Sequence, residues 1–395
     1  MAKIGIYGGS FNPPHIGHIR AAVQCKDALG LDRVLLIPAA IPPHKRMADG
    51  SPDGETRLRM TQLAFAGLSG FEVSDIELHR EGKSYTVDTM EQLRETYPDD
   101  ELYLMMGTDM FLTFDKWYRP ERIAQLAKIV CFSRVEEGET LRQQYAEQCA
   151  LLRSQFGCEP ILLHNEVTDI SSTEIRRLLF FRCADRVLPE SVLREIGEKG
   201  LYGTGKDCRG LPTEELKELA LSLLKPVRVP HVEGVCKLAA ELARKYGEDA
   251  DTAIRAAALH DVTKALTPAQ QLWMCEAYHI PVTEFEKSQT ALLHAMTAET
   301  AAREIFGERE EICSAIRWHT TGRAGMTTLE KIIYIADMAE ESREFPGVDA
   351  IRAELNEDLD AGVRAGLWQT ITHLREKGRP VSAASEQALT ALAKG

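Results

Sequence analysis

Residues 203–210 hold three glycines, and the spacing of apolar residues changes across them. A glycine-rich stretch resists both helix and strand, so two flanks that obey different periods point to two separately folded regions. Upstream, short aliphatic runs alternate with helical stretches. Strands are expected at residues 3–7, 33–37, 72–73, 101–106, 129–132 and 160–163, with helices such as 19–29, 56–67 and 87–96 between them. Alternation of this kind specifies a parallel α/β sheet with helices on both faces. Downstream, Leu216, Leu219, Ala220 and Leu223, and again Ala253, Ala256 and Ala257, recur at helical spacing, so this half is expected to be all-α. The expected division is residues 1–202, a linker at 203–212, and residues 213–395.

A chain of 395 residues, 44% apolar, can bury two cores. Its formal charge of −13 argues against a nucleic-acid backbone as partner, because that contact needs clustered Lys and Arg. Small phosphorylated substrates need only a few local cations. Nine cysteines without a Cys-x-x-Cys pair suit free thiols in a reducing cytoplasm. Nothing approaches a membrane span, and the opening residues 1–7 are too short and glycine-interrupted for a signal segment. They read as a first strand instead. A homo-oligomer stays open, and the Ala- and Ser-rich last dozen residues are expected to be poorly ordered.

Directly after that first strand, Gly8 and Gly9 let the backbone turn and approach a ligand, and Pro13 and Pro14 stiffen the exit. His15 and His18 lie three apart where a helix begins, so both can face one anion at its positive end. The run Gly9-x-Phe11-Asn12-Pro13-x-His15-x-Gly17-His18 resembles the signature of the nucleotidyltransferase superfamily of adenylyl- and cytidylyltransferases. A second element of that family, residues 170–176, also reads unaided. Ser171 with Glu174 forms a capping box, and exposed amides beside Arg176 can hold phosphates. The resemblance implies a Rossmann-like fold and in-line attack of a phosphate on the α-phosphorus of ATP, with Mg²⁺ accompanying the nucleotide. His15 and His18 would meet the α-phosphoryl oxygens. Gly8, Gly9, Ser10, Phe11, Lys45, Arg134, Ser171, Ser172, Thr173 and Arg176 would bind ATP and its phosphates. Residues 37–45, 84–89, 107–109 and 115–117 resemble the bacterial nicotinate mononucleotide adenylyltransferase (NadD) family. That implies nicotinate mononucleotide as acceptor, bound by Thr86, Asp109 and a stacking Trp117. A different acceptor is the alternative; phosphopantetheine adenylyltransferases are shorter and differ in these segments.

In the helical half, His260 and Asp261 stand adjacent inside an apolar helix and need a reason to be there. His231, His294, His319 and Asp337 could supply one by converging, and mixed imidazole and carboxylate ligands suit Fe, Mn or Zn. The order His, His-Asp, Asp resembles the HD phosphohydrolase superfamily, and two added histidines point to its two-metal subset. Residues 292–294, 318–323 and 326–337 are similar to the YqeK family. That resemblance implies symmetric hydrolysis of diadenosine tetraphosphate to two ADP at a dinuclear Fe or Mn centre, in preference to Zn. Asp261 is the candidate bridge, and Lys264 and Arg343 are free cations for the polyphosphate. Two alternatives remain, another phosphate ester as substrate or a metal-bound sensing or oligomerisation module.

Overall fold

The computed structural model of the protein describes residues 1–42, 47, 50–134, 138–165 and 170–393, with backbone alone at 133–134 and 164–165. Two compact units emerge. One is Met1–Phe180 with Ala184–Gly205, and the other is Phe181–Cys183 with Lys206–Gly395.

The first unit runs β1 (Lys3–Gly9), α1 (Ile16–Leu29), β2 (Arg33–Pro38), α2 (Gly54–Phe65), β3 (Phe71–Val73), α3 (Thr86–Thr96), β4 (Glu101–Gly107), α4 (Thr108–Phe111), α5 (Pro120–Leu126), β5 (Lys128–Arg134), α6 (Glu139–Phe156), β6 (Ile161–Asn165), α7 (Ser172–Phe180) and α8 (Glu190–Glu198). Its strands lie in the order β3-β2-β1-β4-β5-β6, with every neighbouring pair parallel. Backbone pairing carries β1 beyond the expected residue 7, because Gly8 and Gly9 still pair with Ile37 and Pro38. The chain builds outward from β1 to β3 and then returns to place β4 on the other side of β1. Connections therefore leave in opposite directions at the carboxyl ends of β1 and β4, and the crevice between them is where sheets of this order bind ligands. One sheet face holds Ile4, Ile6, Leu35, Ile37, Leu102, Leu104 and Ile129, alternate residues that form a core with Val87, Met90 and Leu93 of α3 and Leu152 of α6.

The second unit is helical throughout its described residues: α9 (Thr213–Leu223), α10 (Val229–Tyr246), α11 (Ala250–Leu259), α12 (Pro268–Ala277), α13 (Glu284–Ser288), α14 (Leu293–Glu304), α15 (Glu310–Trp318), α16 (Thr328–Ala339), α17 (Val348–Glu357), α18 (Leu359–Glu376) and α19 (Ala383–Leu392). At its centre α11 buries Ala253, Ala256, Ala257 and Ala258 completely and contacts α9, α10, α14, α15 and α16. Small side chains let that many helices approach one axis. Two expectations are corrected here. Residues 384–392, expected to be poorly ordered, belong to a helix: Ser382 caps α19 by accepting from the Ala384 amide, and Ala388 is buried. His260 and Asp261 are not within a helix, because α11 stops at Leu259 and tighter bonds follow, from the Val262 amide to Leu259 and from the Lys264 amide to Asp261. Among the described residues no helix is long and apolar enough to cross a membrane, and all nine cysteines are buried free thiols.

Gly5 marks where the first core is tightest, since a Cβ there would lie 2.8 Å from both Leu31 Cδ1 and Met105 Sδ. Gly5→Val is expected to destabilise the first unit by about 1–3 kcal/mol, read as a lower denaturant midpoint for the transition that unfolds the sheet.

Candidate functional site

The turn from β1 into α1 sets the geometry of the first site. Phe11 takes a left-handed backbone (φ 43°) that buries its ring completely, 5.6 Å from Tyr7 and 5.0 Å from His18 between centroids. His15 is the N-cap of α1, and its Nδ1 accepts the Gly17 amide at 3.2 Å. His18 reciprocates, its Nδ1 accepting the His15 amide at 3.2 Å. Two imidazoles thus make a capping box usually built from Ser or Thr with Glu or Gln. Because each Nδ1 is an acceptor, each ring carries its hydrogen on Nε2. Burial lowers the His15 pKa to about 3, and burial with the neighbouring His15 holds His18 well below its ordinary value. Both are neutral hydrogen-bond donors at pH 7.

The loop is held from behind. Arg57, fully buried, donates from Nη1 to the Ser10 carbonyl at 2.8 Å, from Nη2 to Ala40 at 3.1 Å and from Nε to Pro52 at 3.3 Å. Arg176 donates to the Asn12 carbonyl and to Thr173 Oγ1, each at 2.9 Å. Tyr202 donates to Asn12 Oδ1 at 2.7 Å, and Asn12 Nδ2 donates to Ser51 at 2.8 Å.

In front of the loop, at the carboxyl ends of β1 and β4, lies a cavity of 470 Å³. Gly8, Gly9, Ser10, His18, Thr86 and Trp117 line it. Phe11, His15, Asp109, Arg176 and residues 171–173 lie outside that lining. Asp109 is exposed on α4, and the Ser171–Glu174 capping box starts α7, with Ser171 Oγ donating to Glu174 at 2.7 Å and accepting its amide at 3.2 Å. Arg134 ends β5, and Lys45 lies outside the described residues. The cavity wall also contains Ser84 and Thr89 of the 84–89 segment, and Glu77, which the sequence does not single out. Thr89 donates to the buried Glu77 carboxylate at 2.7 Å and accepts from Arg80 at 2.5 Å, while burial raises the Glu77 pKa.

The second unit brings all six of its candidate ligands together, mostly from helix ends. His231 sits in the first turn of α10, His294 in that of α14, His260 and His319 directly after α11 and α15, and Asp337 in the last turn of α16. His231, His260 and Asp337 offer ligand atoms within 4.8 Å of one another, and so do His260, Asp261 and His319. His294 Nε2 is 3.1 Å from His319 Nε2 and 3.3 Å from Asp261 Oδ1. The ring orientations decide what these atoms can do. Nδ1 of His260, His294 and His319 each faces the carbonyl three residues earlier, Ala257, Ala291 and Ile316, at 2.6, 2.6 and 2.7 Å. A carbonyl only accepts, so Nδ1 carries the hydrogen and each Nε2 is an acceptor lone pair turned inward. The contact between His294 and His319 therefore sets two lone pairs against each other, and buried His260 Nε2 and Asp261 Oδ1 have no hydrogen-bond partner. Such orphaned acceptors fit a divalent cation.

Three cations approach the same carboxylates. Arg228 pairs with Asp261, Arg343 donates to Asp337 Oδ1 at 2.5 Å, and Lys264 Nζ lies 3.9 Å from Asp261 Oδ1 and 3.0 Å from His294 Nε2. Lys264 and Arg343 are thus paired rather than free, and Arg228 is a contact the sequence does not reveal. Burial works to raise the Asp261 pKa, but His260, His294 and Lys264 outweigh it and the carboxyl is held below its ordinary range.

Comparison with known proteins gives the class. Residues 6–178 match the Cytidylyltransferase-like family, and residues 228–340 match the HD domain family. The protein is a Rossmann-like nucleotidyltransferase domain followed by a helical HD domain, which implies a divalent metal. A probable nicotinate-nucleotide adenylyltransferase of Trichlorobacter lovleyi is 40% identical over 211 residues, covering 51% of this chain and 99% of that protein. Another, from Geobacter sulfurreducens, is 41% identical over 214 residues, covering 51% of this chain and 98% of that protein. A protein of Clostridium acetobutylicum described as a predicted HD superfamily hydrolase involved in NAD metabolism is 31% identical with a TM-score of 0.45, and the match covers 47% of this chain and 98% of that one. The chain belongs, through its first unit, to the nicotinate-nucleotide adenylyltransferase family.

The neutral His15 ring yields a stability prediction. Its folded pKa, about 3, lies below the ordinary 6.5, so the unfolded chain binds the extra proton first. The contribution is fully present above pH 6.5 and is lost as pH falls from there through about 3. His15→Asn keeps a capping acceptor but cannot titrate, so the melting temperature of the first unit should fall less steeply with acid than in the wild type.

Proposed function

We propose that the first unit transfers AMP from ATP to nicotinate mononucleotide, giving nicotinate adenine dinucleotide and pyrophosphate. The observation that carries this reading is the pair of neutral imidazoles whose Nδ1 atoms are taken by the start of α1, beside the cavity at the sheet's switch point. An acceptor phosphate oxygen forms the new bond to the α-phosphorus while the bond to the β-phosphate oxygen breaks, and pyrophosphate carries off the electron pair. No proton need move, so His15 and His18 act as donors to phosphoryl oxygens through Nε2 and not as acid or base. Amides of Gly8, Gly9 and Ser10, with residues 171–173 and Phe11 shaping the loop ends, face the nucleotide, whose Mg²⁺ arrives with it. Arg176 and Arg57 add positive charge behind the loop, and Lys45 and Arg134 complete the phosphate contacts. Thr86 at the start of α3 and the neighbouring backbone amides take the nicotinate carboxylate, Trp117 stacks on the ring, and Asp109 is a further contact for the acceptor. The named activity of relatives matched over nearly their whole length supports this acceptor.

The second unit, on this reading, hydrolyses diadenosine tetraphosphate symmetrically to two ADP. His231, His260, Asp261, His294, His319 and Asp337 would hold two ions, Fe or Mn in preference to Zn, with Asp261 the candidate bridge and His260 common to both groups. Bound there, such ions activate water and neutralise phosphoryl oxygens. Lys264, Arg228 and Arg343, already drawn to the two carboxylates, would receive the polyphosphate, Lys264 nearest the reacting group.

His18→Ala should lower pyrophosphate release from ATP and nicotinate mononucleotide on the order of 10²-fold with hydrolase activity untouched. Retention of full activity would overturn the transferase assignment. For the second unit, wild-type protein should yield ADP alone from diadenosine tetraphosphate, and Asp261→Ala should lose both metal and product. Bound metal without turnover would favour a sensing module, and products other than ADP would favour a different phosphate ester.

A further inference from the structure

His231 differs from the other three imidazoles of the cluster. Their Nδ1 atoms face a backbone carbonyl three residues earlier, whereas His231 Nδ1 faces Glu340 Oε1 at 2.9 Å. Its other nitrogen, Nε2, faces Asp337 Oδ1 at 3.1 Å. Both carboxylates come from the end of α16, three residues apart, so one helix terminus grips the ring at both nitrogens. Glu340 is only 1% exposed and is itself held, with Oε2 accepting the Ser342 amide and Oε1 accepting Ser342 Oγ, each at 2.7 Å. Arg352 fixes the backbone at the same point by donating to the Ala339 carbonyl at 3.0 Å and the Glu340 carbonyl at 2.7 Å. Across from it stands Gly234 of α10, where a Cβ would lie 2.5 Å from Glu340 Oε2. That position therefore has to lack a side chain for Glu340 to reach His231.

We propose that Glu340 is a positioning residue for one ion of a two-ion centre, orienting His231 and fixing its hydrogen on Nδ1 so that Nε2 is offered to the His231–His260–Asp337 group. The inference rests on the two-ion reading above. A carboxylate accepting from the far nitrogen also makes the imidazole a stronger donor to a cation than a carbonyl does, and losing such a partner typically weakens metal binding 10–100-fold. Only one of the two ligand groups contains His231, so the effect is confined to one ion.

The test is titration of Mn²⁺, without nucleotide, into chelator-stripped full-length protein, with calorimetry for affinity and elemental analysis for stoichiometry. Wild type should bind two equivalents. Glu340→Ala should keep one near its original affinity and weaken the other about 10–100-fold. Glu340→Gln should restore most of the loss, because its amide oxygen can still accept from Nδ1. Gly234→Ala gives the independent check: it changes no carboxylate or imidazole and improves helix propensity, yet it displaces Glu340 and should weaken the same single ion. Two ions bound with unchanged affinity in both Glu340→Ala and Gly234→Ala would overturn the positioning role and leave the two-ion reading intact. Equal weakening of both ions with a lowered melting temperature would also overturn it, in favour of a purely structural Glu340. Wild-type protein that takes up fewer than two ions would overturn both readings.

Discussion

A neutral imidazole has one hydrogen and two nitrogens, and whatever binds one nitrogen decides what the other can do. Both sites of this protein depend on that constraint and use it in opposite senses. At the start of α1, unpaired amides donate to Nδ1 of His15 and His18, so Nε2 becomes a donor suited to an anion. In the helical unit, carbonyls of the preceding turn accept from Nδ1 of His260, His294 and His319, so Nε2 becomes a lone pair suited to a cation. The same side chain presents a donor in one unit and a lone pair in the other because of which backbone group lies behind it.

This fits the start of α1 before His18 and the ends of α11 and α15 before His260 and His319. Only near a terminus is an amide or carbonyl left over from the main-chain ladder. A histidine in mid-helix would find that carbonyl already engaged. The chain therefore ends α11 at Leu259 and α15 at Trp318, one residue before His260 and His319. Glu340 supplies the side-chain equivalent where His231 makes no such backbone contact.

Residue pattern carries much of this and then stops for a physical reason. The six strands, the glycine loop and the six histidines and aspartates of the second unit are legible because apolar periodicity is local and imidazoles beside acids are uncommon in apolar sequence. The end of α11 is not, since Ala-Ala-Ala-Leu continues a helical period that the bonds of His260 and its neighbours cut short. Nor are Arg57, Tyr202, Arg228 or Glu340, which are ordinary residue types until folding brings them against the sites. Tyr202 reaches Asn12 across 190 residues and Glu340 reaches His231 across 109. No spacing rule encodes contacts of that separation. Gly234 carried a trace of one, a glycine inside a long helix, where glycine costs about 1 kcal/mol relative to Ala and therefore asks for a packing reason.

Charge follows the same division between global and local. A net charge of −13 repels polyanions at a distance, yet each site gathers cations locally. In the first unit, Arg57 and Arg176 spend their hydrogen bonds on the carbonyls of Ser10 and Asn12. They shape the loop and set positive charge beneath it. In the second, Arg228, Arg343 and Lys264 lie against Asp261 and Asp337, so buried carboxylates are balanced by side chains that can exchange one oxygen anion for another. An ion bound by those carboxylates would take over part of that balance and leave the three cations to a polyphosphate. On the proposed reading, ligand set and substrate contacts in the second unit would share one electrostatic account, in which the same cations neutralise the protein's acids or a substrate's phosphates.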